Sequence, residues 1–190
     1  MASYDMSGLR VLVVDDNIHM CRLVRAMLGG FGLRQVTDAH DGAEALERID
    51  QTHYDILIVD WEMPVLDGPD LVRLIRKPEH PLAYVPIIMI TGHSTYRRTN
   101  DALSLGINDV LSKPFSPKAI YDRIYDAVIR PRPFVRAQNY FGPKPRVDSN
   151  ATDPLSRPSV VASAHSTSAQ SSAGTGEPDA FDVDDASSVL

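Results

Sequence analysis

Five times between residues 9 and 128 the chain passes from a short apolar run to a stretch with helical periodicity, and that alternation restricts the fold more than any other feature. The runs at 9–14, 54–59, 86–90 and 109–112 are brief and rich in Val, Ile and Leu, with a weaker one at 34–37. Runs that are apolar throughout, rather than at every second position, belong to strands covered on both faces. Between them, Met20, Leu23, Val24, Met27, Leu28 and Phe31 recur at helical spacing, and Gly29, Gly30 and Gly32 close that helix. Further helices are expected near 42–49, around Leu71–Ile75, near 95–105, and along the stripe Ile120, Ile124, Val128. The pattern predicts an α/β fold: a doubly wound, five-stranded parallel sheet with helices on both faces.

Ligands of such sheets sit at the carboxyl ends of the strands, near the point where strand order reverses. The residues that end the runs therefore matter most. They are Asp15 and Asp16, Asp60, Thr91 with Gly92, and Lys113 with Pro114. An aspartate placed directly after the buried-looking run Ile56-Leu57-Ile58-Val59 is costly unless its charge is used. Three converging carboxylates repel one another, and a cation offsets them. Oxygen-only ligands favour a hard ion, and incomplete protein coordination suits Mg²⁺, which keeps several waters. A metal beside a lysine and a threonine makes a place for a phosphoryl group, and one carboxylate can be its nucleophile. Asp60 is the expected acceptor.

At Asp15-Asp16, "DWEMPVLDG" (60–68), "TGH" (91–93) and "KPF" (113–115) the sequence resembles the receiver domain of two-component response regulators. Each piece alone is weak; the set in order is specific. The resemblance covers about residues 8–130 and implies a flavodoxin-like (βα)₅ receiver. It implies that Asp60 is phosphorylated by a sensor histidine kinase, a histidine phosphotransfer protein or a small phosphodonor. Asp16 then binds Mg²⁺ directly, Asp15 acts through water, and the Glu62 backbone carbonyl completes the protein ligands with Asp60. Lys113 pairs with the carboxylate and then the phosphoryl group, and Thr91 hydrogen-bonds a phosphoryl oxygen. The Lys113–Pro114 peptide is expected to be cis. Glu62 and His93 border the hydrolytic water, or are solvated loop side chains. At Val110, where the family commonly carries an aromatic switch residue, valine is read as an ordinary strand residue, so the usual threonine–aromatic coupling is not expected.

Composition narrows the setting. A net charge of −6 argues against nucleic-acid binding by the whole molecule. The single cysteine, Cys21, excludes an internal disulfide and a cysteine metal cluster. No signal pattern and no apolar run of ~18 residues is seen, so no membrane association and a cytoplasmic setting are expected. The charge is unevenly spread. Residues 1–130 hold 18 acidic and 14 basic side chains, residues 131–146 hold four basic and no acidic ones, and residues 147–190 hold seven acidic and one basic.

Three regions follow: a receiver at 8–130, a basic, aromatic, proline-rich extension at 131–148, and a disordered Ser/Ala-rich and acidic tail at 149–190. The extension lacks helical periodicity, so it is expected to dock on the receiver or on a protein partner rather than on nucleic acid. No DNA-binding output domain is recognisable. The leading reading is a single-domain response regulator that switches an unknown downstream protein target or relays phosphate. It is not an enzyme beyond self-catalysed phosphoryl acceptance and loss. The alternatives are a Mg²⁺-dependent phosphohydrolase with an aspartyl nucleophile and a receiver fold that signals without phosphate.

Overall fold

A computed structural model of the chain describes residues 5–92 and 96–146, with the backbone alone over 96–98. The element order is β1 (Arg10–Val14), α1 (Ile18–Gly30), β2 (Gln35–Ala39), α2 (Gly42–Gln51), β3 (Ile56–Asp60), α3 (Gly68–Ile75), β4 (Ile87–Thr91), α4 (Tyr96–Ser104), β5 (Asp109–Ser112), α5 (Pro117–Val128), β6 (Phe134–Ala137) and β7 (Tyr140–Pro143). The first five strands form one parallel sheet in the order β2-β1-β3-β4-β5. The chain steps from β1 outward to β2, then crosses back to place β3 on the other side of β1. The reversal point lies between the ends of β1 and β3, where Val14 pairs with Val59. Asp15 and Asp60 follow directly, so topology alone brings them together.

Alternation along the strands divides the core into two layers. Leu12, Val14, Leu57, Val59, Ile87 and Met89 meet Ala45, Leu71, Val72, Ile75 and Ala102 on one face. Val11, Val13, Ile56, Ile58, Ile88 and Ile90 meet Val24, Leu28, Ile120 and Ile124 on the other. Burial on both faces explains why these runs are apolar throughout; each fully buried aliphatic side chain contributes about 1.5–3 kcal/mol. Local signals fix the helix starts. Asn17 caps α1 by accepting from the His19 and Met20 amides. Asp41 caps α2 while Glu44 reaches back to the His40 amide, so each end of the turn satisfies the other. Asp67 caps α3, with Pro69 in its first turn. Expected boundaries shift accordingly: α1 begins at Ile18, ahead of Met20, α3 begins at Gly68, ahead of Leu71, and β2 runs on to Ala39. Of the fourth expected helix, Thr95 lies outside the described residues.

The extension was the least legible segment. It forms an antiparallel hairpin, β6 and β7 turning at Gln138-Asn139, folded back on the amino-terminal end of the parallel sheet. The Tyr84 ring meets Phe134 at a tilt and Phe141 edge-on, and the Arg76 guanidinium lies over Phe134. Arg76 is buried and donates to the carbonyls of Gly106, Ala83 and Val85. Gly106, at φ 85°, presses its backbone on that of Phe141 and Gly142; a Cβ at Gly106 would stand 2.1 Å from the Phe141 carbonyl oxygen. Of the two docking expectations, the intramolecular one describes this hairpin. Residues 147–190, with the expected disordered tail, lie outside the described residues. Among those described, no helix is long and apolar enough to cross a membrane.

Candidate functional site

The carboxyl edge of the sheet gathers Asp15, Asp16, Asp60, Thr91 and Lys113. Asp15 and Asp60 are buried and Asp16 is exposed, and one oxygen from each carboxylate lies within 4.8 Å of the others. Each group is held by the element that ends beneath it. Asp15 extends β1, its own amide bonded to the Ala39 carbonyl; its Oδ1 accepts from the Asn17 amide at 2.9 Å. Its Oδ2 accepts from Lys113 Nζ at 2.9 Å. Asp60 ends β3, and its Oδ2 accepts from the Glu62 amide at 3.3 Å, so the following loop curls back over the carboxylate. Its Oδ1 stands 2.6 Å from Lys113 Nζ, an ion pair whose approach falls off the hydrogen-bond line.

Lys113 thus bridges two of the three carboxylates. Its own amide donates to the Thr91 carbonyl, which ties the tip of β5 to that of β4, and Thr91 is buried. The Lys113–Pro114 peptide is cis. Burial pushes the Asp60 carboxyl above its ordinary value, with Asp15 adding to the rise and Lys113 opposing it. Burial alone would lower the Lys113 ammonium, but its contacts with Asp60 and Asp15 outweigh that and raise it. Lys113 is therefore charged at neutral pH, and one ammonium faces three carboxylates. The residual negative charge, the all-oxygen donors and the open side at Asp16 fit a hard divalent cation.

The loop after β3 is shaped by backbone contact. The Gly68 amide donates to the Trp61 carbonyl, and a Cβ on Gly68 would fall 2.2 Å from the Asp60 carbonyl oxygen. Val65 takes φ 65°, a left-handed backbone that a β-branched residue adopts only under strain, and it is exposed. Glu62 is exposed, its main chain at the site through its amide. Val110 is part-buried in β5 and packs against the core layer of Leu57 and Met89. His93 lies outside the described residues. Sequence reasoning missed Asn17, which orients Asp15 through its amide and caps α1 through its side chain; an asparagine just before an apolar periodic run was the available signal. It also missed Gly68 as a point of close approach. Cys21 is buried, and burial pushes its thiol up to about 11.

Comparison with known proteins places the same region in one group. The model of the response regulator receiver domain matches residues 11–125. The chemotaxis protein CheY1 of Helicobacter pylori J99 is 35% identical over 117 residues, covering 61% of this chain and 94% of that protein. The chemotaxis protein CheY of Pseudomonas aeruginosa is 31% identical over 116 residues, covering 61% and 93%. Among solved structures, the receiver domain of a sensor histidine kinase from Pseudomonas aeruginosa PAO1, with a magnesium ion coordinated in its active-site cleft, is 36% identical. It superposes with a TM-score of 0.57 over 65% of this chain and 98% of that one.

Proposed function

The chain belongs to the response regulator receiver domain family, and from that premise we propose that Asp60 accepts a phosphoryl group in a Mg²⁺-dependent reaction and thereby switches a protein interaction or relays phosphate. The observation that carries this reading is the bridged acidic cluster: a buried Asp60 facing Lys113 at 2.6 Å, with Asp15 and Asp16 beside it. In the transfer, an Asp60 carboxylate oxygen forms a bond to phosphorus as the bond to the donor breaks. With acetyl phosphate the leaving group departs as acetate; with a kinase or phosphotransfer protein it is the histidine imidazole. Bound at the carboxylates of Asp16 and Asp60, with Asp15 acting through water and the Glu62 carbonyl completing the set, Mg²⁺ would neutralise phosphoryl charge. Lys113 exchanges one carboxylate contact for a phosphoryl oxygen, and Thr91, at the tip of β4, supplies a hydroxyl to another.

The protein acts on itself, accepting and losing one phosphoryl group, and turns over no external substrate. Its donors are a sensor histidine kinase or a histidine phosphotransfer protein, and its output is a protein target. Phosphodonor assays separate this from the alternatives. A regulator retains close to one phosphoryl group per chain after brief exposure to acetyl phosphate and Mg²⁺. A phosphohydrolase would release phosphate catalytically from added monoesters, and a phosphate-independent module would do neither.

A further inference from the structure

We infer that Arg132 is a positioning residue for Lys113: through β5, the docked hairpin sets where the ammonium stands between Asp15 and Asp60. This rests on the proposed role of the acidic cluster. β5 is an edge strand, held along one side only, by β4. Its start is fixed at Asn108, whose amide and side-chain oxygen pair with the Ile87 carbonyl and amide. The Asn108 carbonyl, in turn, accepts from Arg132. A second Arg132 nitrogen donates to the Lys144 carbonyl at 2.9 Å, so one guanidinium joins the beginning and end of the extension to the base of β5. Arg146 adds an ion pair to Asp109, the first residue of the strand. From Asn108 the chain runs five residues in extended form, about 16 Å at 3.3 Å each, and arrives at Lys113.

A strand so short, with one neighbour, is placed by its two ends. At the far end Lys113 occupies oxygens of Asp15 and Asp60, two of the three carboxylates a cation would use. Ammonium and cation compete for the same carboxylates. By seating β5, Arg132 holds Lys113 in the bridging arrangement; releasing the base lets the ammonium draw back, which favours the cation and deprives the phosphoryl oxygens of their partner.

The test is a Mg²⁺ titration followed by the emission of Trp61, the single tryptophan, at a temperature well below unfolding. Arg132→Ala is expected to tighten Mg²⁺ binding about five-fold, within the span by which distant residues alter coupling, and to slow labelling by acetyl phosphate at saturating Mg²⁺. Arg132→Lys, which keeps one donor, should fall between. Phe134→Ala loosens the hairpin without touching β5 and should move the same way, keeping the inference testable if Arg132→Ala folds poorly. Val36→Ala, in β2 at the opposite edge, should lower Tm and leave the Mg²⁺ midpoint in place. Unchanged or weaker Mg²⁺ binding in Arg132→Ala and Phe134→Ala, with only Tm reduced, would overturn the inference while leaving the proposed function standing. No Mg²⁺ response in the unaltered protein would remove both.

Discussion

Asp60 is a carboxylate set among Ile58, Val59 and Ile90, and its burial is a thermodynamic statement as well as a chemical one. Its folded-state pKa is raised, so ionisation opposes folding. Below the ordinary aspartate value of about 3.9 both states carry the proton and the cost is absent. It grows as pH rises through the folded value and is complete above it. Asp60→Asn removes that cost, and Lys113 keeps Asp15 as its partner. The variant should therefore show a higher Tm than the unaltered protein at pH 7 without Mg²⁺, the gap closing as pH is brought below about 4; calorimetry across that range checks it. Asp16 differs in being exposed, and its removal should disturb the fold little. Asp16→Ala is expected to weaken Mg²⁺ binding at least ten-fold in a Trp61 titration, since one of few protein ligands is gone, with Tm nearly unchanged.

Among the elements, the loop joining β3 to α3 is the most exacting. Gly68 is needed for room rather than for backbone freedom, because the atom a Cβ would strike is the carbonyl of Asp60 itself. Backbone cannot step aside as a side-chain tip can, so Gly68→Ala should cost about 2–4 kcal/mol and slow phosphoryl acceptance, measurable by denaturant unfolding and by labelling rate. The aspartate-proline-glycine signals of this loop were legible because turn and cap chemistry is local. The five strands were legible because burial on both faces leaves an unbroken apolar run. The Asp15, Asp60 and Lys113 bridge was foreseeable from strand ends alone, since parallel topology collects them at one edge. What the residues did not reveal was non-local. The strand Gln35–Ala39 carries Asp38 in its interior, paired with Arg25 of α1, and reads as weak for that reason. The hairpin has four-residue strands whose alternation is masked by Pro133 and Pro143, and its stability comes from Tyr84, Arg76 and Gly106, more than 25 residues distant.

For the whole molecule, the described domain extends through residue 146 rather than stopping at α5. Ending the chain after Arg146 should leave folding and phosphoryl acceptance intact. Ending it after Arg130 strips the rings from Tyr84 and Arg76 and bares Gly106. That truncation should lower Tm by roughly 5–10 °C, equivalent to about 2 kcal/mol for a domain of this size. Thermal melts of the two truncations, side by side, decide where the domain ends. The central claim, however, concerns a single oxygen of Asp60, and mapping the label tests it most directly. After acetyl phosphate and Mg²⁺, borohydride reduction converts an aspartyl phosphate to homoserine, which peptide mass spectrometry locates. The account predicts homoserine at position 60, dependent on Mg²⁺ and lost in Asp60→Asn. Homoserine at Asp15 or Asp16 instead, or equal labelling of Asp60→Asn, would contradict it.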